Sequence, residues 1–185
     1  VIVKILGYIS TLALMSITAK VLTISDFAYL NLFLQWLVPL TIIQTLGLPL
    51  LSNVYVGGQK MSSRQYIQLS KKITQKVLIT TLPIALFISI VILNMDSSLI
   101  ISYVILLIGN IILYFQSQLL QAKKLFYESF LVSNYGQRGV FLSSISCLII
   151  GIFILIEKQL NISNIFLIIF SSILVTIIYS SRILK

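Results

Sequence analysis

Long apolar stretches separated by short polar breaks run along the whole chain. An α-helix needs roughly 17 to 25 apolar residues to cross about 30 Å of hydrocarbon. Six stretches meet that length, at residues 5–22, 30–56, 77–93, 99–122, 140–156 and 162–181. The pattern therefore predicts an all-α, polytopic membrane protein in which residues 1–185 form a single transmembrane domain, a six-helix bundle.

The composition indicates the same class. Hydrophobic residues make up 58% of the chain, charged residues make up 9%, and the mean hydropathy is +1.08, which is far from the balance of soluble globular domains. A chain of 185 residues cannot bury so much apolar surface within itself, so most of it is expected to face lipid. The lipid bilayer is therefore the first expected partner.

Several chemical classes are disfavoured by the residues present. The formal net charge of +9 does not indicate a nucleic-acid partner, because the basic residues lie in short breaks instead of on one surface. Cys147 stands alone and the chain has no histidine, which excludes disulfide frameworks and ordinary Cys/His metal sites. Acid and base catalysis at membrane depth usually recruits histidine or paired carboxylates. We therefore expect no enzyme, no metal and no cofactor.

The distribution of lysine and arginine predicts the orientation in the membrane. With the N-terminus inside, all 13 basic residues except Lys20 and Lys158 fall on the cytoplasmic side. The acidic residues Asp26, Asp96 and Glu157 then fall outside. We expect both termini to be cytoplasmic.

The connection at residues 57–76 is the longest break and has a helical pattern of its own. Its apolar residues share one face: Tyr66, Leu69, Ile73 and Val77. Arg64, Lys72 and Lys76 accompany them, within reach of anionic headgroups. The segment is either an amphipathic extension of the third span at the membrane interface or a solvated linker helix.

Polar residues inside the apolar stretches form helical stripes. The fourth stretch has one face with Tyr103, Asn110, Tyr114, Ser117 and Gln121, and the first has one with Lys4, Tyr8, Thr11, Met15 and Thr18. The second stretch contributes Asn31, Gln35 and Gln44, and the sixth contributes Ser172, Thr176 and Tyr179. An unpaired amide in hydrocarbon costs on the order of several kcal/mol, so these faces are expected to meet other helices or water.

Two interpretations of the stripes stay open. Interhelical hydrogen bonds, worth about 1 kcal/mol or less each, hold bundles together in this way. A shared aqueous cavity for a hydrogen-bonding substrate is the other interpretation, and the length of the stripes favours it slightly. Its candidate lining residues are Tyr8, Thr11, Thr18, Asn31, Gln35, Gln44, Asn110, Tyr114, Ser117 and Gln121.

Three short motifs carry a family resemblance. Residues 17–31 read ITAKVLTISDFAYLN, residues 46–48 read LGL, and residues 120–127 read LQAKKLFY. In this order and placement they resemble the N-terminal half of the bacterial polysaccharide flippases, for O-antigen or capsule repeat units, of the multidrug/oligosaccharidyl-lipid/polysaccharide flippase superfamily. Lys20, Asp26 and Phe27 match the family's first turn, whereas Ala28 stands where that turn typically has a glycine.

The resemblance implies a function and a set of partners. It implies transport of lipid-linked oligosaccharide across the bacterial inner membrane for cell-surface polysaccharide synthesis, by a fold of two six-helix lobes of which this chain supplies one. A second six-helix half or a homodimer partner would complete the cavity. Hydroxyl and amide side chains suit sugar hydroxyls, and Lys4, Lys123 and Lys124 are the candidates for the headgroup or its pyrophosphate.

Two other classes remain as alternatives. One is half of a multidrug or cation antiporter, although cation coupling commonly uses an intramembrane carboxylate and all four acidic residues lie at span ends or in loops. The other is a non-catalytic membrane subunit of a larger assembly.

Overall fold

The computed structural model of the protein describes residues 2–87, 97–133, 140–155 and 160–184, and every regular element in these ranges is an α-helix. The helices are α1 Ile2–Val21, α2 Ile24–Thr45, α3 Leu48–Tyr55, α4 Ser63–Phe87, α5 Ser97–Ala122, α6 Phe126–Leu131, α7 Val140–Leu155 and α8 Ile162–Leu184. The all-α prediction is confirmed for this part of the chain.

Four helices in the described ranges are long and apolar enough to cross a membrane. The qualifying segments are Lys4–Val21 of α1, Ile24–Thr45 of α2, Leu99–Ala122 of α5 and Ile162–Leu184 of α8. In α7 the apolar segment is shorter, Leu142–Ile154. These helices indicate a membrane protein, whereas the complete six-helix bundle stays a prediction.

The second predicted span is two helices in the structure. Leu46 and Gly47 both adopt left-handed backbone conformations, with φ of 49° and 67°. They end α2, whose last helical residue is Thr45. Pro49 then lies in the first turn of α3, where a helix needs no backbone donor. The apolar stretch predicted as one span over residues 30–56 is therefore interrupted at its Leu46–Gly47 step.

The predicted connection at residues 57–76 and the start of the third span form one continuous helix, α4. A capping box begins it: the Ser62 backbone N–H donates to Gln65 Oε1 at 3.1 Å, and the Gln65 N–H donates to Ser62 Oγ at 3.3 Å. Residues 88–93 of the predicted third span and residue 156 of the fifth lie outside the described residues. The same is true of five charged residues used to predict orientation: Asp96, Arg138, Glu157, Lys158 and Lys185.

The centre of the bundle is the contact of α5 with α8 and α2. The rings of Phe33, Tyr103 and Phe166 meet there, with centroids 5.7 to 6.4 Å apart. The Tyr103 hydroxyl donates to the Phe33 carbonyl at 3.1 Å. At Gly109 a Cβ would lie 2.7 Å from Ile173 Cγ2, so the absent side chain lets α5 and α8 approach closely.

A second cluster joins α1, α7 and α8. Leu14, Ile150 and Ile168 are buried together in it. Beside them the Ser144 hydroxyl donates to Ser10 Oγ at 3.1 Å, which connects α7 to α1. Among the described helices, α1 packs mainly on α7, whereas α2 packs on α5 and α4.

Candidate functional site

The polar residues predicted from the sequence separate into two sets. Those buried between helices are Thr18, Gln44, Asn110, Tyr114 and Ser117. Those exposed or partly exposed are Tyr8, Thr11, Asn31, Gln35 and Gln121. The predicted stripe of α5 is buried except at Gln121, whereas the predicted polar residues of α1 and α2 are divided between buried and exposed positions.

The buried set is organised around one contact between α5 and α2. The Asn110 Nδ2 donates to Thr41 Oγ1 at 2.8 Å, and Thr41 Oγ1 donates to the Leu37 carbonyl at 2.7 Å. Asn110 is 0% exposed and Thr41 is 1% exposed. This is a buried hydrogen bond between two helices. The sequence interpretation selected Asn110 but not Thr41.

Several buried polar atoms of α2, α3 and α5 lack a hydrogen-bond partner within the described part of the chain. Among the described residues nothing hydrogen-bonds to Gln44 Nε2 and Oε1, to Ser52 Oγ or to Gln118 Oε1. Each such group costs about 1 to 3 kcal/mol when it is left without a partner. We call these three residues, together with Thr41 and Asn110, the polar seam of α2, α3 and α5.

The position of the polar seam follows from two contacts. The hydrogen bond from Asn110 to Thr41 places Thr41 of α2 at the level of Asn110 along α5. Gly57, just after α3, lies at the level of Ala122, because a Cβ added to Gly57 would be 3.4 Å from the Ala122 carbonyl. The helices α2 and α3 therefore run parallel to α5 between these levels. The seam occupies the half of the bundle that ends in the turn after α5.

The rest of the α5 stripe makes local contacts. Ser117 Oγ donates to the Tyr114 carbonyl at 3.1 Å, and Ser129 Oγ donates to the Ser117 carbonyl at 2.9 Å. The second bond fastens the short helix α6 to α5. Gln121, in the last turn of α5, is partly exposed.

The α1 stripe divides along its length. Thr18 is 1% exposed and donates to the Leu14 carbonyl at 2.9 Å, while Thr11 is partly exposed and donates to the Gly7 carbonyl at 2.8 Å. Tyr8 is 49% exposed. Both threonine hydroxyls bond to their own helix, and the exposed part of this stripe is its Tyr8 end.

A polar patch lies on the outer surface of α2, near its middle. Gln35 is exposed there, and Pro39, also exposed, follows four residues later. Proline has no N–H, so the Gln35 carbonyl lacks the donor that an α-helix normally supplies. Asn31, one turn earlier, is partly buried and donates to the Phe27 carbonyl at 3.0 Å. We call Asn31, Gln35 and Pro39 the mid-helix patch.

The three candidate headgroup lysines lie at one end of the bundle. Lys4 Nζ is 4.8 Å from the centroid of the Phe130 ring, which is cation–π geometry. Lys123 Nζ donates to the Leu184 carbonyl at 2.9 Å, which joins the ends of α5 and α8. Lys124 is exposed in the turn that follows, with φ of 63°.

Some polar contacts between helices involve residues that the sequence interpretation did not select, namely Ser146, Gln116 and Ser181. Ser146 Oγ donates to Ser172 Oγ at 2.9 Å between α7 and α8, and Gln116 Nε2 donates to Ser181 Oγ at 2.8 Å between α5 and α8. A serine in an apolar stretch gives little sequence signal, because its hydroxyl can always bond to the carbonyl four residues earlier. Their partners are fixed only by the packing.

These surfaces are the basis for a functional proposal. In comparisons with known proteins, no family model, no curated protein and no solved structure matches the chain.

Proposed function

We propose that the chain is one six-helix lobe of a carrier that moves lipid-linked oligosaccharide across the bacterial inner membrane for cell-surface polysaccharide synthesis. Three observations support the proposal. They are the six apolar stretches, the resemblance of residues 17–31, 46–48 and 120–127 to polysaccharide flippases, and the mid-helix patch on α2.

The mid-helix patch is the observation that carries the proposal. Gln35 is exposed near the centre of a 22-residue apolar helix, about 15 Å from either end. Transfer of an amide from water to hydrocarbon costs about 4 to 8 kcal/mol when nothing can hydrogen-bond to it. The Gln35 carbonyl adds a second acceptor, since Pro39 removes its helical donor. This surface therefore faces an aqueous path or a second protein body and not acyl chains.

In a two-lobed carrier such a surface is the wall of the central cavity. The Gln35 amide offers both donors and an acceptor, which is the chemistry that sugar hydroxyls require. Trp36, 40% exposed next to Gln35, offers an aromatic face for the apolar side of a sugar ring. Lys4 and Lys124 lie at the end of the bundle where the pyrophosphate of the substrate would be bound.

The proposal assigns a supporting role to the polar seam. Asn110 and Thr41 hold α5 against α2, and α2 carries the mid-helix patch on its other side. A second six-helix half, or a second copy of this chain, supplies the opposite wall. The sugar itself does not need to reach the buried Asn110 amide.

Both termini are assigned to the cytoplasm, because the chain has 13 basic residues and nearly all of them lie at one side of the predicted spans. Alkaline phosphatase matures only in an oxidising compartment. We therefore expect an alkaline phosphatase fusion after Lys185 to be inactive and a cytoplasmic reporter at the same position to be active. Active phosphatase at this position would contradict the orientation.

The reactivity of introduced cysteines tests whether the α2 surface around Gln35 faces water. In a Cys147→Ser background, we expect Gln35→Cys in native membranes to react with a small polar thiol reagent at least tenfold faster than Leu174→Cys. Leu174 is the matched control because it is 43% exposed and lies near the middle of α8. Equal rates at the two positions would show that Gln35 faces lipid like Leu174 and would contradict the proposal.

A further inference from the structure

The first turns of α4 have two different faces, one packed against other helices and one that is exposed and basic. Tyr66 is 2% exposed, its ring lies 6.2 Å from that of Tyr55, and its hydroxyl donates to the Leu48 carbonyl. Ser70, one turn later, is also buried. Tyr66 is therefore not in contact with lipid, and the inward face of α4 is occupied by α2 and α3.

The opposite face of α4 carries the charges. Arg64, Lys71 and Lys72 are all exposed, and their spacing of seven and eight residues places them on one side of the helix. Ile67 and Leu69, which are 43% and 46% exposed, flank this side. A basic strip with apolar margins is the pattern of helices that lie against a membrane surface.

The segment that contains this strip has no acidic residue of its own. No acidic residue occurs between Asp26 and Asp96, whereas five basic residues occur in residues 57–87. Asp26 lies in the first turn of α2, at the end of that helix far from α3. The positive charges of this strip must therefore be neutralised by groups outside residues 57–87.

The level of the strip along the bundle matches that of lipid headgroups. The helix α3 packs beside α5, and Gly57, just after α3, lies beside the carbonyl of Ala122, the last residue of the apolar segment Leu99–Ala122. The Tyr66 ring stacks on that of Tyr55, the last residue of α3. The first turns of α4 therefore lie near the end of this apolar segment, where headgroups begin.

Other cations lie at the same end. Lys60 is held in the turn before α4, where its N–H donates to the Tyr55 carbonyl at 2.9 Å. Gly57 lies beside the Ala122 carbonyl, and the exposed Lys123 and Lys124 follow Ala122 directly. The basic strip of α4 is thus continuous with a positive rim around this end of the bundle.

We propose that the face of α4 formed by Arg64, Lys71 and Lys72 is a docking surface for anionic phospholipid headgroups. The guanidinium and ammonium groups bind headgroup phosphates, and Ile67 and Leu69 contact the upper acyl chains. Tyr66 fixes the helix so that this face is turned outward. The lipid holds α4, and the contacts of Tyr66 join α4 to α3.

The test measures lipid selectivity of the full chain in vesicles. Spin-labelled phosphatidylglycerol and phosphatidylcholine give a relative association constant with the reconstituted protein. We expect a preference for phosphatidylglycerol that falls about tenfold or more in the triple variant Arg64→Gln, Lys71→Gln and Lys72→Gln, since each basic residue near an anionic surface contributes severalfold. The charge-preserving variant Arg64→Lys, Lys71→Arg and Lys72→Arg is expected to keep the preference.

A second measurement separates lipid from an acidic protein as the occupant. Gln68 is exposed in the middle of the basic strip, and a photoreactive group on Gln68→Cys, in the Cys147→Ser background, reports its neighbours in native membranes. We expect crosslinks to phospholipid. An unchanged lipid preference in the triple variant, or crosslinks to protein with no phosphatidylglycerol preference in vesicles, would overturn the proposal.

Discussion

Removal of the hydrogen bond between Asn110 and Thr41 is expected to show that the buried stripe of α5 works as a packing contact. Thr41→Val removes the acceptor and leaves the buried Asn110 amide without it, which costs about 1 to 3 kcal/mol. Asn110→Leu costs less, because Thr41 Oγ1 still donates to the Leu37 carbonyl. The pair should couple by about 0.6 kcal/mol, the average measured for hydrogen bonds between membrane helices, and by no more than about 1.7 kcal/mol, the largest value measured.

The assay is reversible unfolding of the four proteins in mixed micelles, with the coupling free energy taken from the double-mutant cycle. Thr45→Val with Asn110→Leu is the matched control pair. Thr45 is equally buried, but its hydroxyl donates to the Thr41 carbonyl within α2, so its coupling to Asn110 should be near zero. A coupling below about 0.3 kcal/mol for Thr41 and Asn110 would refute the packing role.

Three further changes have defined outcomes in the same unfolding assay. Gln44→Leu should stabilise the protein by about 1 kcal/mol, because both amide atoms are buried without a partner; destabilisation would reveal a bound partner. Gly109→Ala should destabilise the protein by about 1 to 3 kcal/mol, because the new methyl group contacts Ile173 Cγ2. Adding Ile173→Leu, which removes Cγ2, should recover part of that stability, and no recovery would refute the contact. Burial raises the pKa of Tyr66 above its ordinary 10.0, so its contribution to stability is present below pH 10 and lost as the pH rises through the raised folded-state pKa. Tyr66→Phe should flatten that alkaline loss, and an unchanged slope would contradict it.

The break between α2 and α3 shows where an apolar pattern is insufficient. Residues 30–56 contain scattered polar residues but no long run of them, so the pattern gives no reason to divide the stretch. Gly47 and Pro49 are partial signals, but Leu46 in a left-handed conformation is not a residue from which a break is predicted. The division depends on how α3 packs on α5, which sequence pattern does not contain.

The candidate residues of α2 show a different limit. Gln35 and Gln44 are nine residues apart, about two and a half helical turns, so they lie on opposite faces. Periodicity could have separated them, and the structure does: Gln35 is exposed and Gln44 is 1% exposed. Periodicity cannot say which face another helix covers. That information came from the contact of Thr41 with Asn110 on α5.

The central claim is that this chain is one lobe of a two-lobed carrier, and complementation tests it most directly. A strain deficient in its polysaccharide flippase would receive either this chain alone or this chain together with a second six-helix half, with surface polysaccharide as the readout. Alternating access requires a second body against which the lobe can move. We therefore expect export to be restored by the pair and not by this chain as a monomer. Full export by the chain alone, in cells where crosslinking detects no dimer, would contradict the claim.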